Sequence, residues 1–359
     1  MSWTWTELPL PLGEEAARAW ERLTEQAPHP HIQSTAWWME AWVRQFAPQQ
    51  SRLLAFQQGG EWRALLPVVR RRERDPHCPL AHRVLCNGGD GFSDSLPLAV
   101  APGDQAALEQ VAAWLERAGR HVHEARLAPL IEGTPAFPLA ELLEARGWEC
   151  GRVEGNPLLD LRAGWEALEA RVGKNLRHDV AKKKRRLAEA GLEPELQLEQ
   201  TCTPALLEEL RELARRRWQS EGHKSSFLDP ARCAFIGTVG TLATERGEFA
   251  CFCARRSGRL VAYRLGFLHG GAFFDWITSY DPELFPYSIG KLVLWDSIRQ
   301  LGALGVERLD FMAGEEDYKL KWDPVVRPML RCRRLRPGPV NLLRAGVRAA
   351  SRWKSTWRT

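Results

Sequence analysis

Methionine and tyrosine are scarce in this chain, with four of each in 359 residues, and several familiar patterns are missing. The eight cysteines are scattered without a C-x-x-C pair, which argues against a disulfide framework and a zinc site, so no metal is expected. No apolar run is long enough to cross a bilayer, and the opening MSWTWTELPLPLGEE lacks the basic-then-apolar order of a signal peptide, so a cytoplasmic protein is expected. No Ser/His/Asp or Cys/His set points to a covalent enzyme intermediate. What is present is an ordinary globular composition, 44% hydrophobic and 26% charged, long enough for two domains. The net charge of +5 allows an anionic partner without requiring one.

The most informative stretch is Ser279–Trp322, SYDPELFPYSIGKLVLWDSIRQLGALGVERLDFMAGEEDYKLKW. Three runs rich in aromatic and β-branched residues precede it, at 249–254, 260–267 and 272–278, and read as a meander of two hairpins. A helix with apolar Leu292, Val293, Trp295, Ile298 and Leu301 follows, with Ser288 as its N-cap and Gly305 as its end. Its opening residues, Ser288, Ile289, Gly290 and Lys291, offer free backbone N–H groups, a glycine for close approach and a cation, which suits a pyrophosphate. A strand at 306–312, the charged turn 314–322 and a last strand at 325–335 complete the order.

These residues resemble the GNAT acyltransferase superfamily. The YD…SIG pattern before the helix and LDFMAGEEDYKLKW after it are similar to the CelD/BcsL-like acetyltransferases, which are related to the FemAB peptidoglycan transferases. The element Gly314, Glu316 or Asp317, Tyr318, Lys319 and Trp322 carries the most specific part of the likeness. The resemblance implies an α/β (α+β) fold of tandem GNAT-like domains, each a mixed, mainly antiparallel sheet flanked by helices. It also implies acyl-CoA or acetyl-CoA as co-substrate, held at Ser288–Lys291. The expected division is 1–155, a degenerate GNAT-like domain; 156–335, the acyltransferase domain; and 336–359, a basic tail with Trp353 and Trp357. The boundary is expected near Gly151–Gly164, with Asn156-Pro157 as its punctuation.

Direct acyl transfer needs a base, oxyanion stabilisation and a proton for the leaving group. Tyr318 and Lys319 are the candidates for the last two, with Lys319 as electrostatic catalyst or else a surface lysine paired with Glu315 or Glu316. The base candidates are Asp310, Glu316, Asp281 and Asp275. Asp310 is either a catalytic carboxylate or the cap of a neighbouring turn, and Asp275 alternates with Phe273 toward the cleft.

The run 171–186 reads as a basic amphipathic helix with a stripe of Leu176, Val180 and Leu187. Lys174 and Arg177 match regular positions of the resembled family and join Asp275, Asp281 and Trp322 as substrate-binding candidates. An anionic acceptor, cofactor phosphates, transfer RNA and plain solvent all suit that basic face. In the first half, the loop Asn87–Asp94 and Asp104 carry carboxylates that would repel a pyrophosphate, which assigns the donor to the second half. Trp37, Trp38 and Trp42 fall at helical spacing and are expected to pack the N-terminal core.

The leading function is an acyltransferase acting on an amine or hydroxyl of a sugar, envelope precursor or small metabolite. The alternatives are an aminoacyl transferase drawing on transfer RNA and a non-catalytic accessory protein of polysaccharide synthesis. The tail suits peripheral contact with an anionic membrane and equally packing on the protein body. Oligomeric state is not legible.

Overall fold

The computed structural model describes residues 2–47, 49–74, 80–221, 227 and 229–345, with backbone alone at 218–221. The chain divides into two units, Met1–Val153 with Pro328–Thr359, and Glu154–Arg327.

In the first unit the elements are β1 (Trp3–Leu8), α1 (Glu14–Glu25), α2 (Ala36–Phe46), β2 (Ser51–Gln58), β3 (Glu61–Arg74), β4 (Ala81–Asn87), β5 (Ala99–Val100), α3 (Gln105–Gly119), β6 (Glu124–Ile131) and α4 (Leu139–Glu144). The strands run in the order β1-β2-β3-β4-β6, and the short β5 pairs with β3. Among the described residues of this unit only β4 and β6 are parallel, from Val84 opposite Glu124 to Cys86 opposite Arg126, as a crossover through a helix requires. Leu108, Val111 and Leu115 of α3 pack on Leu54, Phe56 and Leu66 of β2 and β3. Trp37, Trp38 and Trp42 are buried in α2.

The second unit starts inside β7 (Glu149–Asp160) and continues with α5 (Gly164–Arg171), α6 (Lys174–Glu189), β8 (Glu195–Glu199), α7 (Pro204–Glu221), α8 (Pro230–Glu245), β9 (Phe249–Arg256), β10 (Arg259–His269), β11 (Ala272–Tyr280), α9 (Ile289–Ala303), β12 (Arg308–Asp310) and α10 (Asp317–Leu320). Its strand order is β7-β12-β11-β10-β9-β8. β11 and β12 are parallel, and the other neighbours are antiparallel. Both units are therefore mixed, mainly antiparallel sheets flanked by helices, as expected.

Several expectations need correcting. The division between Val153 and Glu154 falls within the expected stretch 151–164, but Asn156-Pro157 is no turn there and lies inside β7. Gly155 runs so close to Glu315 and Val326 that a Cβ would lie 2.5 Å from each, and the Pro157 carbonyl accepts from the Phe311 amide at 3.0 Å. The final strand β13 (Val325–Leu335) has the expected extent. From Pro328 onward, however, it belongs to the first unit, because Met329–Leu335 pair antiparallel with β6. Cys150 and Cys332 form a disulfide within that unit, with Cα atoms 4.1 Å apart, a single bridge where the scattered cysteines argue against a disulfide framework. After β13 a helix covers residues 339–345, tied down by Arg344 to Glu124 at 2.9 Å. Trp353 and Trp357 lie outside the described residues.

Candidate functional site

The site in the second unit begins where two strands part. β11 and β12 pair only from Ala272 opposite Arg308 to Phe274 opposite Asp310. β12 then ends, while β11 runs on to Tyr280. Opening onto this parting is a cavity of about 260 Å³, lined by Arg217, Arg264, Thr278, Tyr280, Phe285, Ser288, Ile289, Gly290, Lys291 and Tyr318.

The start of α9 forms one wall. Ser288 occupies the N-cap position but in the left-handed conformation (φ 54°, ψ 42°), and its side chain caps nothing. The amides of Lys291 and Leu292 reach the Ser288 carbonyl, and among the described residues those of Ile289 and Gly290 have no backbone acceptor, as is usual at a helix start. The Ile289 side chain is fully buried in the core, so only its backbone can serve a ligand. A Cβ on Gly290 would lie 3.2 Å from the Tyr280 ring, so glycine sets how closely helix and strand approach. Lys291 is not a free cation, because it forms an ion pair with Asp179 of α6. The hydrogen bond from Lys291 in turn lowers the Asp179 pKa.

The inner end holds a buried chain of polar groups. Arg264 of β10 lies opposite Thr278 and is ion-paired with Asp275. Both side chains are buried. A bulge sets this up. Leu265 faces Ile277 and Gly266 faces Asp275, with Trp276 left over, so Asp275 points to the same face as Thr278 three residues on. Arg264 also lies over Tyr318, whose ring centre is 6.0 Å from the guanidinium carbon. Burial raises the Tyr318 pKa above that of a free phenol, against the opposing pull of Arg264, so the hydroxyl stays protonated.

The remaining candidates fall elsewhere. Lys319 is buried, and its ammonium donates to the Ala313 carbonyl at 2.7 Å and the Gly314 carbonyl at 3.3 Å, with Glu316 at 2.9 Å. Three donors are thus engaged and the group does not line the cavity. Glu316 is exposed, at the N-cap of α10. Asp310 accepts from Asn156 at 2.7 Å, the Met312 amide at 2.8 Å and Arg327 at 2.7 Å, which is the turn-capping alternative. Asp281 accepts from Arg216 and Arg259, both at 2.8 Å, and from the Glu283 amide at 3.2 Å. Trp322 is buried among Trp165 and Trp295, a core residue rather than a substrate contact. Lys174 and Arg177 are exposed on α6, while Leu176, Val180 and Leu187 are buried as expected. Sequence reasoning missed Arg264, Arg217, Thr278 and Phe285. A charge at the centre of the apolar run LVAYRLGF was the available signal for Arg264.

The second unit thus combines a strand meander, a helix starting at a strand parting and a parallel return strand. Residues 174–320 match the family model of the acetyltransferase (GNAT) domain. Among solved structures, the chain is similar to FemX, at 10% identity, a TM-score of 0.63 and coverage of 92% of this chain and 97% of that one. It is also similar to the C-terminal domain of a putative lysylphosphatidylglycerol synthetase from Agrobacterium fabrum, at 12% identity, TM-score 0.57 and coverage of 90% and 92%. A tandem GNAT protein of the clavulanic acid biosynthesis pathway aligns at 17% identity, TM-score 0.54 and coverage of 94% and 100%. No curated protein matches the chain. At such identities the likeness is one of fold.

Proposed function

We propose that the second unit transfers an acyl group directly from a thioester, acyl-CoA or acetyl-CoA, to an amine or hydroxyl. The observation that carries this is the uncapped N-terminus of α9, with Gly290 against Tyr280, opening on a cavity whose inner end holds Tyr318 and Arg264. The free amides suit the donor's pyrophosphate. The parting beyond Phe274 leaves β11 backbone unpaired by β12, as a strand-like pantetheine arm needs. The acceptor's lone pair attacks the thioester carbonyl, the tetrahedral intermediate collapses with cleavage of the C–S bond, and Tyr318 protonates the departing thiolate. The acceptor nitrogen or oxygen loses its proton to solvent or to a basic group of the acceptor. No described free cysteine lines the cavity, which suits direct transfer.

Within the GNAT fold we read the chain as CelD/BcsL-like, with a sugar, envelope precursor or small metabolite as acceptor. The exposed face of α6, with Lys174, Arg177, Lys182 and Arg185, supports a second reading in which transfer RNA delivers an aminoacyl group.

A thermal-shift panel of acetyl-CoA, longer acyl-CoAs and free CoA tests the first reading, since a ligand bound to the folded state alone raises its melting temperature. A rise of several degrees is expected at saturating thioester. Unchanged melting at millimolar concentrations, together with salt-sensitive binding of transfer RNA, hands the site to the second reading.

A further inference from the structure

Phe285 has no part in the chemistry, yet it is 67% exposed and lines the cavity. A lone exposed aromatic on a loose loop would need no explanation. The 3-10 turn that carries it, Pro282–Tyr287, is instead held from several sides. Asp281 at its start binds Arg216 and Arg259, Lys183 of α6 donates to the Pro286 carbonyl at 2.9 Å, and the Arg186 guanidinium lies 5.6 Å from the centre of the Tyr287 ring. Phe285 stacks on Tyr280, with ring centres 6.4 Å apart and planes 24° apart. Tyr280 in turn carries the Arg217 guanidinium at 4.1 Å and touches Gly290. A flat apolar surface is thus fixed in place beside the start of α9, so little ordering entropy remains to be lost when a ligand covers it.

Its position narrows the ligand. Along β11, Thr278 lies opposite Arg264 and Tyr280 opposite Ala262, so the aromatic pair sits two residues, about 7 Å, further along the strand than the level of Arg264 and Tyr318. The platform therefore meets the end of the donor away from the thioester.

We propose that the Phe285–Tyr280 stack is a base-binding platform, taking the heteroaromatic ring of a nucleotide whose pyrophosphate sits at the N-terminus of α9. This rests on reading that helix start as the donor's pyrophosphate site. Stacking on an aromatic face is tolerant of the base and worth about tenfold or more in affinity.

Calorimetric titration of the full chain with inorganic pyrophosphate, ADP and CoA tests it. ADP is expected to bind at least about tenfold more tightly than pyrophosphate. Phe285→Ala should bring ADP down to the level of pyrophosphate and weaken CoA by the same factor, with pyrophosphate itself unchanged, while Phe285→Trp retains the wild-type affinities. Because the side chain is exposed, neither variant should alter the melting temperature of the free protein. If wild type binds pyrophosphate and CoA but Phe285→Ala leaves ADP and CoA within about twofold, the helix site stands and the platform is overturned. If none of the probes binds wild type, the pyrophosphate reading falls and the platform with it.

Discussion

The two units contain the same local plan, a strand followed by a helix and a parallel return strand, but finish it differently. In the first, β4 and β6 pair until Cys86 meets Arg126, and the next residue closes the parting. The Asn87 side chain both donates to the Ala128 carbonyl at 3.1 Å and accepts from the Ala128 amide at 3.0 Å, extending the ladder with an amide. Its helix, α3, is capped by Asp104, which accepts from the Ala107 amide at 3.1 Å. In the second, β11 and β12 part after Phe274, the next residue, Asp275, turns to Arg264, and Ser288 caps nothing. One plan is sealed by two polar side chains, and the other is left open at both points.

Net charge does not distinguish the two helix starts. Asp90 of the glycine loop is matched by Arg71 and Arg126, each at 2.7 Å, and Asp104 by Arg63 at 2.7 Å. Lys291 is matched by Asp179. Neither helix start owes its character to an uncompensated charge. What separates them is whether the backbone donors are already taken.

The largest expected effect is at the open site. Tyr318→Phe should lower turnover by about a hundredfold or more, measured as thiol released from acyl-CoA in the presence of an acceptor, with donor affinity unchanged. Because burial raises the Tyr318 pKa, the acid form persists through pH 10, and the alkaline fall in kcat/KM should lie above that value. A fall centred well below pH 10, or unaltered turnover in the variant, would exclude Tyr318 as the proton donor.

At the sealed parting the effect should be structural. Asn87 is fully buried, and Asn87→Ala strands both polar groups of Ala128. The expected loss is about 2–4 kcal/mol of unfolding free energy, read from the urea midpoint, with donor affinity unchanged. A loss below about 0.5 kcal/mol would mean that the amide is not what holds the strands there.

The part of this contrast that was legible in sequence is the part set by local pattern. The start of α9 after Ser288, the three meander strands, the Leu176–Val180–Leu187 stripe and the extent of β13 all follow from periodicity and turn residues. The roles of polar side chains were less legible, because their partners are remote in the chain. Asp281 meets Arg216 across 65 positions and Lys291 meets Asp179 across 112. Asp275 was expected to face the cleft, and the Trp276 bulge does set it on the face of Arg264 and Thr278, but nothing in the local pattern told that Arg264 would take it into a buried ion pair. Lys319 sits in a run of alternating charges that normally faces water, yet it folds inward to gather the Ala313 and Gly314 carbonyls. Asn156-Pro157 looked like punctuation because strands disfavour proline, but its place in β7 is fixed by Asn156 donating to Asp310 at 2.7 Å.

A smaller effect would make the open helix start resemble the sealed one. Ser288→Asp puts a carboxylate where α3 has Asp104, and aspartate tolerates the left-handed backbone there better than most residues. Donor affinity should fall by about tenfold, or about 1.4 kcal/mol, in a calorimetric titration with CoA, while the melting temperature of the free protein holds or rises. Undiminished CoA affinity would show that the donor does not use this helix start.

The smallest expected effect concerns whether the charges beside the sealed parting are structural. Glu73 is pushed upward by burial, but hydrogen bonds and charge from Arg126 and Arg71 outweigh this and hold its pKa at about 2. A carboxylate lowered in the folded state contributes stability above its unfolded value, near 4.5, and loses that contribution as pH falls toward the folded value. Glu73→Gln should therefore cost about 1 kcal/mol at pH 7, a figure kept modest because solvent screens the partly exposed group. The gap between variant and wild type in unfolding free energy should shrink below pH 4.5 and close near pH 2. A gap of the same size at both ends of that range would mean that Glu73 acts through its shape and hydrogen bonds rather than its charge. The matching of Asp90 and Glu73 by Arg71 and Arg126 would then have to be explained by packing at the parting, where Asn87 already closes the ladder.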